Sequence, residues 1–429
     1  MNILVLGTGG REHALAWACA KDPRITTVYV AKGNAGTALE PKLCNVNLDI
    51  NDHQAVIDFC QTHHIAFVIV GAEAPLVAGI ADDLQQAGIK VWGCSRYCAQ
   101  LEGSKSFAKA FMQKHNIPTA TYATFNDATT AKTYIKEQGT PIVIKADGLA
   151  AGKGVVVAMN DDEAFAAIDD MLSTNKFGKA GATVVIEQCL VGEEASFICM
   201  VDGHNILPMA TSQDHKRIFE GDMGANTGGM GAYSPAPAVT DEVHHKVIER
   251  IIRPTVQAMK DSGHPYTGFL YAGLMIDAEG NPSVIEFNCR FGDPETQPIM
   301  MRLKSSLVLL IEQGLAGNLP SFADWDDRPA LGIVLASKGY PESASTDDVI
   351  TGLPSLDNLD NKDSTVKVFH AGTKVKDDTL VTNGGRVLCV TALGDTIAEA
   401  QTQALATCAL IDFDGMQYRR DIGWRAIKK

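Results

Sequence analysis

The sequence predicts a multidomain chain of α/β and α+β class. An N-terminal doubly wound parallel-sheet domain covers residues 1–103, and a central two-part domain covers 104–328 with a mobile lid subdomain at about 121–191. A small α+β domain covers 329–429. Three observations predict this. In the first hundred residues, buried-type strands are each followed by a glycine-containing turn, the cadence of an open parallel sheet. In the middle, lysine-bearing strands surround a glycine-rich hairpin, and a longer run leads to the oxygen-rich stretch Glu286–Asn288. In the last hundred, short alternating strands precede one amphipathic helix, Thr396 to Ile411.

The bulk numbers bound the partners. A length of 429 residues suggests two to four domains with ample core. A net charge of -14 argues against a nucleic-acid surface, which needs a basic stripe, so anionic ligands need local basic pockets. The ten cysteines are scattered, and Cys94 and Cys98 have no companion pair at zinc spacing, so they read as reduced thiols of a cytoplasmic protein. Met1-Asn-Ile-Leu-Val reads as a strand rather than a signal peptide, and no apolar run approaches membrane-spanning length. A monomer acting on small molecules, without membrane or nucleic acid, is the expectation.

Asn2 to Leu6 is the first strand, followed by Gly7-Thr-Gly-Gly-Arg-Glu-His13 and a helical run from Ala14 to Ala20. Strand, glycine turn and helix present backbone N–H groups to a phosphate. The dinucleotide fingerprint fails, because Glu12 stands where the third glycine belongs and the second strand, Thr27 to Val30, ends in Ala31-Lys32-Gly33 without an acid. Arg11 inside the turn favours a terminal phosphate instead. Gly33-Asn-Ala-Gly-Thr37 and Gly71-Ala-Glu-Ala-Pro-Leu76 follow the second and third strands, the latter being Ala66 to Val70. They belong to the same carboxyl edge, where Glu73 can accept from sugar hydroxyls. Lys90 to Trp92 makes the fourth strand.

Ser104 is placed to cap a helix running to Lys114. Pro141 to Lys145 is a strand, and Gly148-Leu-Ala-Ala-Gly-Lys-Gly-Val155 turns into another. With Lys145 before it and Gly152, Lys153 and Gly154 within it, this hairpin reads as a phosphate cover rather than a P-loop, since a strand follows it. The strand from Val184 passes through Gln188-Cys-Leu-Val-Gly192 into a returning strand, where Glu194 can accept from ribose hydroxyls. Asp214, His215, Lys216 and Arg217 set opposite charges together, as a zwitterionic substrate needs. Gly224 to Gly231 has four glycines in eight positions and is read as irregular, with Asn226 and Gly229 in an anion cradle.

Val284 to Cys289 reads as a strand broken by Gly292-Asp-Pro294. Alternation puts Glu286, Asn288 and Arg290 on one face, with Ile285, Phe287 and Cys289 toward the core. Carboxylate and amide oxygens suit Mg²⁺ or Mn²⁺, which keep water and phosphate oxygens as further ligands. Arg290 can hold a phosphate or carboxylate.

Taken together, Lys105, Lys145, the hairpin, the Glu187-to-Glu194 connector and Glu286/Asn288 resemble the ATP-grasp superfamily of carboxylate–amine ligases. Gly7-Thr-Gly-Gly-Arg-Glu-His13, Asp214-His-Lys-Arg217, Asn226-Thr-Gly-Gly-Met-Gly231 and Glu286-Phe-Asn-Cys-Arg-Phe-Gly-Asp-Pro-Glu295 are similar to those of the phosphoribosylamine–glycine ligase (glycinamide ribonucleotide synthetase) family within it. The resemblance spans essentially the whole chain. It implies an enzyme of de novo purine biosynthesis that couples ATP, glycine and 5-phosphoribosylamine through a glycyl phosphate. It implies Lys105 and Lys145 on the phosphates, Glu187 and the Leu190 backbone at adenine, Glu194 at ribose, and the metal on Glu286 and Asn288. Arg290, Asp214 and Lys216 are the expected catalytic set; Gly9, Gly10, Arg11, Glu73, Asn226 and Gly229 the expected substrate contacts. Two departures stand out: Ala272-Gly-Leu-Met-Ile276 lacks the acid many relatives carry, and Ala225 replaces a proline. Another ATP-grasp ligase, or a bicarbonate-using carboxylase, is the alternative.

Overall fold

The computed structural model describes residues 1–149, 154–173, 182–354 and 364–428. The first unit is a five-stranded, wholly parallel sheet. Its order is Leu43–Val46, Thr27–Lys32, Asn2–Gly7, Ile65–Val70, Val91–Trp92. Four strands are expected from sequence. The fifth, Leu43–Val46, is a four-residue edge strand carrying Asn45, too short and too polar to show as a run. The helix expected from Ala14 begins at Gly10. The Glu12 carboxylate reaches back to accept the Gly9 N–H at 2.7 Å, so the glycine turn is already the helix's first turn.

The central domain has two sheets. In the lid, the order is Tyr122–Phe125, Val184–Gln188, Ile142–Ala146, Val155–Ala158, all antiparallel. Helices Ala128–Gln138 and Asp161–Ile168 close a small core around Ile135, Ile144, Ile168 and Ile186. That core is separate from the others, as a subdomain able to move on its own requires. The larger sheet runs Ile206–Pro208, Glu193–Asp202, Thr267–Ile276, Pro282–Asn288. Its pairing slips between Gly273–Glu286 and Leu274–Val284, leaving Ile285 in a bulge. Phe287 and Cys289 are buried as expected, whereas Ile285 is only half-buried, because the bulge turns it out of the alternation. The bulge lies before Glu286, so Glu286 and Asn288 keep a common face.

The third unit corrects the sequence reading most. Its five-stranded antiparallel sheet is ordered Gln213–Asp214, Gly231–Ser234, Ala330–Ala336, Arg386–Leu393, Val366–His370. Two strands come from the middle of the chain, so the glycine-rich stretch is not wholly irregular. Gly231 begins one strand, and Met223–Asn226 pairs with Arg217–Phe219 in a short ribbon. Asn383-Gly384 is not a hairpin turn. Thr379–Asn383 belongs to a separate three-stranded sheet with Thr346–Val349 and Thr373–Lys376, so these residues cross between sheets. The hairpin lies instead at Asp377-Asp378, both at positive φ (48° and 56°), the conformation of a type I′ turn. The helix is Ile397–Cys408.

The first and third units lock through a buried charge cluster. The Glu40 carboxylate meets His13 at 3.0 Å and Lys367 at 2.6 Å. The Gly33–Thr37 turn, expected at a ligand, packs here: a Cβ on Gly36 would lie 2.4 Å from the His370 ring.

Candidate active site

The three units and the lid converge on one cavity of about 450 Å³. Among the described residues, seven basic side chains line it: Arg11, Lys105, Lys109, Lys145, Lys216, Arg290 and Arg386. Seven acidic ones join them: Glu73, Glu102, Glu187, Asp214, Glu286, Asp293 and Glu295. A chain of charge -14 thus keeps a locally balanced cleft, and oppositely charged substrate groups can find partners in it.

At the lid end, Ser104 caps the helix Lys105–Lys114, and Asp147 accepts from the N–H of Ser106 at 2.6 Å and from its hydroxyl at 3.0 Å. Lys105 Nζ donates to the Gly148 carbonyl at 2.9 Å, and burial lowers its pKa. Lys145 Nζ donates to the Ile285 carbonyl at 2.9 Å, joining the lid to the strand Pro282–Asn288. Gly154 lines the cavity. Gly152 and Lys153 lie outside the described residues. Glu187 was expected at adenine, but its buried carboxylate pairs with Lys109 at 2.9 Å and Lys145 at 3.0 Å. Burial pushes Lys109 down to about 8. A strand residue beside two long lysine stems collects both, which one-dimensional spacing does not reveal. Leu190 lies in the connector and is not among the lining residues.

Glu286 and Asn288 both line the cavity. Burial works to raise the Glu286 pKa, but Lys216, Lys145, Lys105 and Arg290 outweigh it, so the group is held below the usual range as a carboxylate. Among the described residues, no three His, Cys, Asp or Glu side chains converge into a metal cage. Two hard oxygen donors in a lysine-lined cavity fit an ion that completes its shell with water and phosphate oxygens.

Asp214 and Lys216 also line the cavity. Burial raises Asp214 to about 7, with Glu295, Glu194 and Glu286 adding to it and Lys216 opposing. Lys216 pairs with Glu194 at 3.0 Å. Glu194, expected at ribose, is therefore engaged in an ion pair and is not among the lining residues. Glu295 accepts from the Tyr271 hydroxyl at 2.8 Å and from Ser196 at 3.0 Å.

At the opposite end lie Arg11 and Glu73, 3.8 Å apart. Burial opposes the ionisation of Glu73, yet Arg290 and Arg11 hold its pKa down. The Gly9 N–H is taken by Glu12, so it does not face the cavity as expected. A Cβ on Gly10 would lie 2.6 Å from Gln297 Nε2, so Gly10 serves the close approach of that helix start to the Asp293–Gln297 segment; a Cβ on Gly9 would lie 3.0 Å from Glu12 Oε2. Asn226 lines the cavity, whereas Gly229, at φ 112°, sits where a Cβ would lie 2.4 Å from Pro294. Arg290 is less free than a substrate fork requires: it meets Glu102 at 2.8 Å and Glu73 at 3.4 Å.

Sequence reasoning missed Glu102, Lys109, Tyr340 and Arg386, and left Asp293 and Glu295 without roles inside a motif it did recognise. Arg386 holds the Gly228 carbonyl at 2.6 Å, while the Tyr340 hydroxyl accepts the Gly228 N–H at 2.9 Å. Both belong to the third unit, so their signal is tertiary.

Comparison with known proteins accords with this geometry. The phosphoribosylglycinamide synthetase N domain matches residues 1–102, the ATP-grasp (A) domain 103–296 and the C domain 330–425. The chain is 59% identical to the phosphoribosylamine–glycine ligase of Neisseria meningitidis serogroup A, over 100% of both chains. It is also 59% identical to that of Escherichia coli K12, over 100% of this chain and 99% of the other. A crystal structure of the Thermotoga maritima phosphoribosylamine–glycine ligase superposes with a TM-score of 0.85 at 33% identity, covering 98% of this chain and 100% of that one. The biotin carboxylase domain of a Hydrogenobacter thermophilus 2-oxoglutarate carboxylase shares the fold alone, at a TM-score of 0.73 and 15% identity over 97% of this chain and 91% of the other. By full-length identity, by three consecutive domain matches and by fold, the chain belongs to the phosphoribosylglycinamide synthetase family.

Proposed function

We propose that the chain joins glycine to 5-phosphoribosylamine with ATP, giving glycinamide ribonucleotide, ADP and phosphate, as a step of purine biosynthesis. One observation carries the reading: the oxygen donors Glu286 and Asn288 share a cavity with Lys105 and Lys145 at one end and Arg11, Glu73 and Arg290 at the other. Triphosphate and a sugar-phosphate amine thus have charged seats on either side of one reaction centre.

The glycine carboxylate attacks the γ-phosphorus; the bond to the β–γ bridging oxygen breaks and ADP leaves. The amine of phosphoribosylamine then attacks the carbonyl of glycyl phosphate, forming the amide, expelling phosphate and losing a proton. Glu286 and Asn288 would hold Mg²⁺ or Mn²⁺, which would supply charge neutralisation for the phosphoryl group. Lys105 and Lys145 orient the phosphates, and the lid excludes water from the acyl phosphate. Asp214, whose pKa sits near 7, takes the amine proton or seats the glycine ammonium beside Glu295. Lys216, held charged by Glu194 and Asp214 against its burial, stabilises the departing phosphate. Arg290, pinned from behind by Glu102, presents its remaining donors to the acyl oxygen.

We further place the protein in the cytoplasm as a monomer with no nucleic-acid partner. Among the described residues, no helix is long and apolar enough to cross a membrane. The test is an ADP-release assay. ADP forms when ATP, the divalent ion, glycine and phosphoribosylamine are all present. Release driven equally well by bicarbonate or another amino acid would overturn the substrate assignment.

A further inference from the structure

Glu102 spends its whole carboxylate on the segment that carries Arg290. It sits near the end of the helix Arg96–Gly103, with its side chain 7% exposed. Oε1 takes Nη2 of Arg290 at 2.8 Å, and Oε2 accepts the Cys289 N–H at 2.7 Å. Arg290 Nη1 donates onward to the Phe291 carbonyl at 3.1 Å. Nε is buried, makes no hydrogen bond and lies 3.4 Å from Glu73 Oε2. The guanidinium is thus held between two carboxylates, with the shorter contact to Glu102. Nη1 and Nη2 each carry a second N–H, and Arg290 lines the cavity. Without the Glu102 charge, electrostatics would draw the guanidinium further onto Glu73 and move those N–H groups.

We propose that Glu102 is a positioning residue of the ligation. It fixes the Arg290 guanidinium against the pull of Glu73, so that the Nη N–H groups not spent on Glu102 and Phe291 stay available to an oxygen of the glycyl carboxylate and its acyl phosphate. By fixing the Cys289 amide, it also keeps Asn288 and Arg290 in register on either side. The inference rests on the ligase reading above and adds to it a residue that acts through Arg290. No proton moves in this role, since Arg290 stays charged.

The test is a double-mutant cycle on the full chain, following ADP release with each substrate varied. Glu102→Gln retains an oxygen for the Cys289 N–H but removes the charge. It should lower kcat at least ~10-fold while the KM for ATP moves no more than about twofold. Glu102→Gln combined with Arg290→Lys should be no worse than Arg290→Lys alone within about twofold, because both act through one guanidinium. ADP affinity measured by calorimetry checks that each variant is folded. A Glu102→Gln enzyme with wild-type kcat, a double variant whose losses multiply, or a KM for ATP that rises along with the fall in kcat would each overturn the assignment. A wild-type chain that releases no ADP with glycine and phosphoribosylamine would instead overturn the ligase reading itself.

Discussion

Arg386, from the third unit, meets the Asp293 carboxylate at 3.0 Å and the Asp293 carbonyl at 2.5 Å, and so ties the segment after the strand Pro282–Asn288 to the Asn226–Gly229 loop. Burial opposes the Arg386 charge, but Asp293 raises its pKa, and in return Arg386 helps hold Asp293 ionised. Arg386→Ala is expected to cost about 1.5–3 kcal/mol from the lost charged hydrogen bonds. It should lower kcat at least ~10-fold with less effect on ADP affinity, since the lid is untouched. Thermal unfolding and ADP-release kinetics check both, and an unchanged kcat would remove the third unit from the catalytic apparatus.

Glu286→Ala should reduce turnover by about 10²–10³-fold or more, because it removes the carboxylate proposed as the anionic metal donor and the negative charge on which Lys216, Lys145 and Lys105 act. Asn288→Ala should act in the same direction, more mildly. Asn383→Ala, at the crossover between sheets, should merely weaken turnover. Steady-state rates at several Mg²⁺ and Mn²⁺ concentrations decide it. A Glu286→Ala enzyme with full activity at ordinary metal concentration would refute the metal site.

Asp214 gives a pH signature. Its folded pKa near 7 lies above its ordinary value of 3.8. Between these values the folded state holds more protons than the unfolded one, so this group's contribution to stability falls as pH rises from about 4 to 7. Activity should run the other way, because the role proposed for Asp214 needs the carboxylate. kcat/KM for glycine is expected to rise through about pH 7. In Asp214→Asn that rise should vanish and the stability slope should flatten. A rising limb that survives the substitution assigns the titration elsewhere.

Glu187 neutralises two lysines, Lys109 at 2.9 Å and Lys145 at 3.0 Å. Glu187→Gln should destabilise the chain by about 3–5 kcal/mol, the usual cost of breaking a buried ion pair from one side. Lys109, already lowered to about 8, should titrate lower still. Calorimetric unfolding tests the first and the pH dependence of stability the second. A neutral substitution would mean that the lysines find carboxylates elsewhere.

Much of this molecule was written in local chemistry. Alternation and turn residues gave the parallel sheet of the first unit, the lid hairpin, and the Glu286–Asn288 face, because strand periodicity and glycine placement act within a few residues. The motifs around Asp214, Asn226 and Glu286 named the chemistry, since only a few residue types can carry metal, phosphate and ammonium. The tertiary structure alone decided which charges meet. Gln213–Asp214 and Gly231–Ser234 add to a sheet completed a hundred residues later, and through it Arg386 and Tyr340 reach the site. Glu187 and Glu194 turned to lysines rather than to an open ligand seat, and Gly9 to Glu12. A buried charge takes whatever partner folding brings within about 4 Å, and that choice depends on distance in space, which the order of residues does not contain.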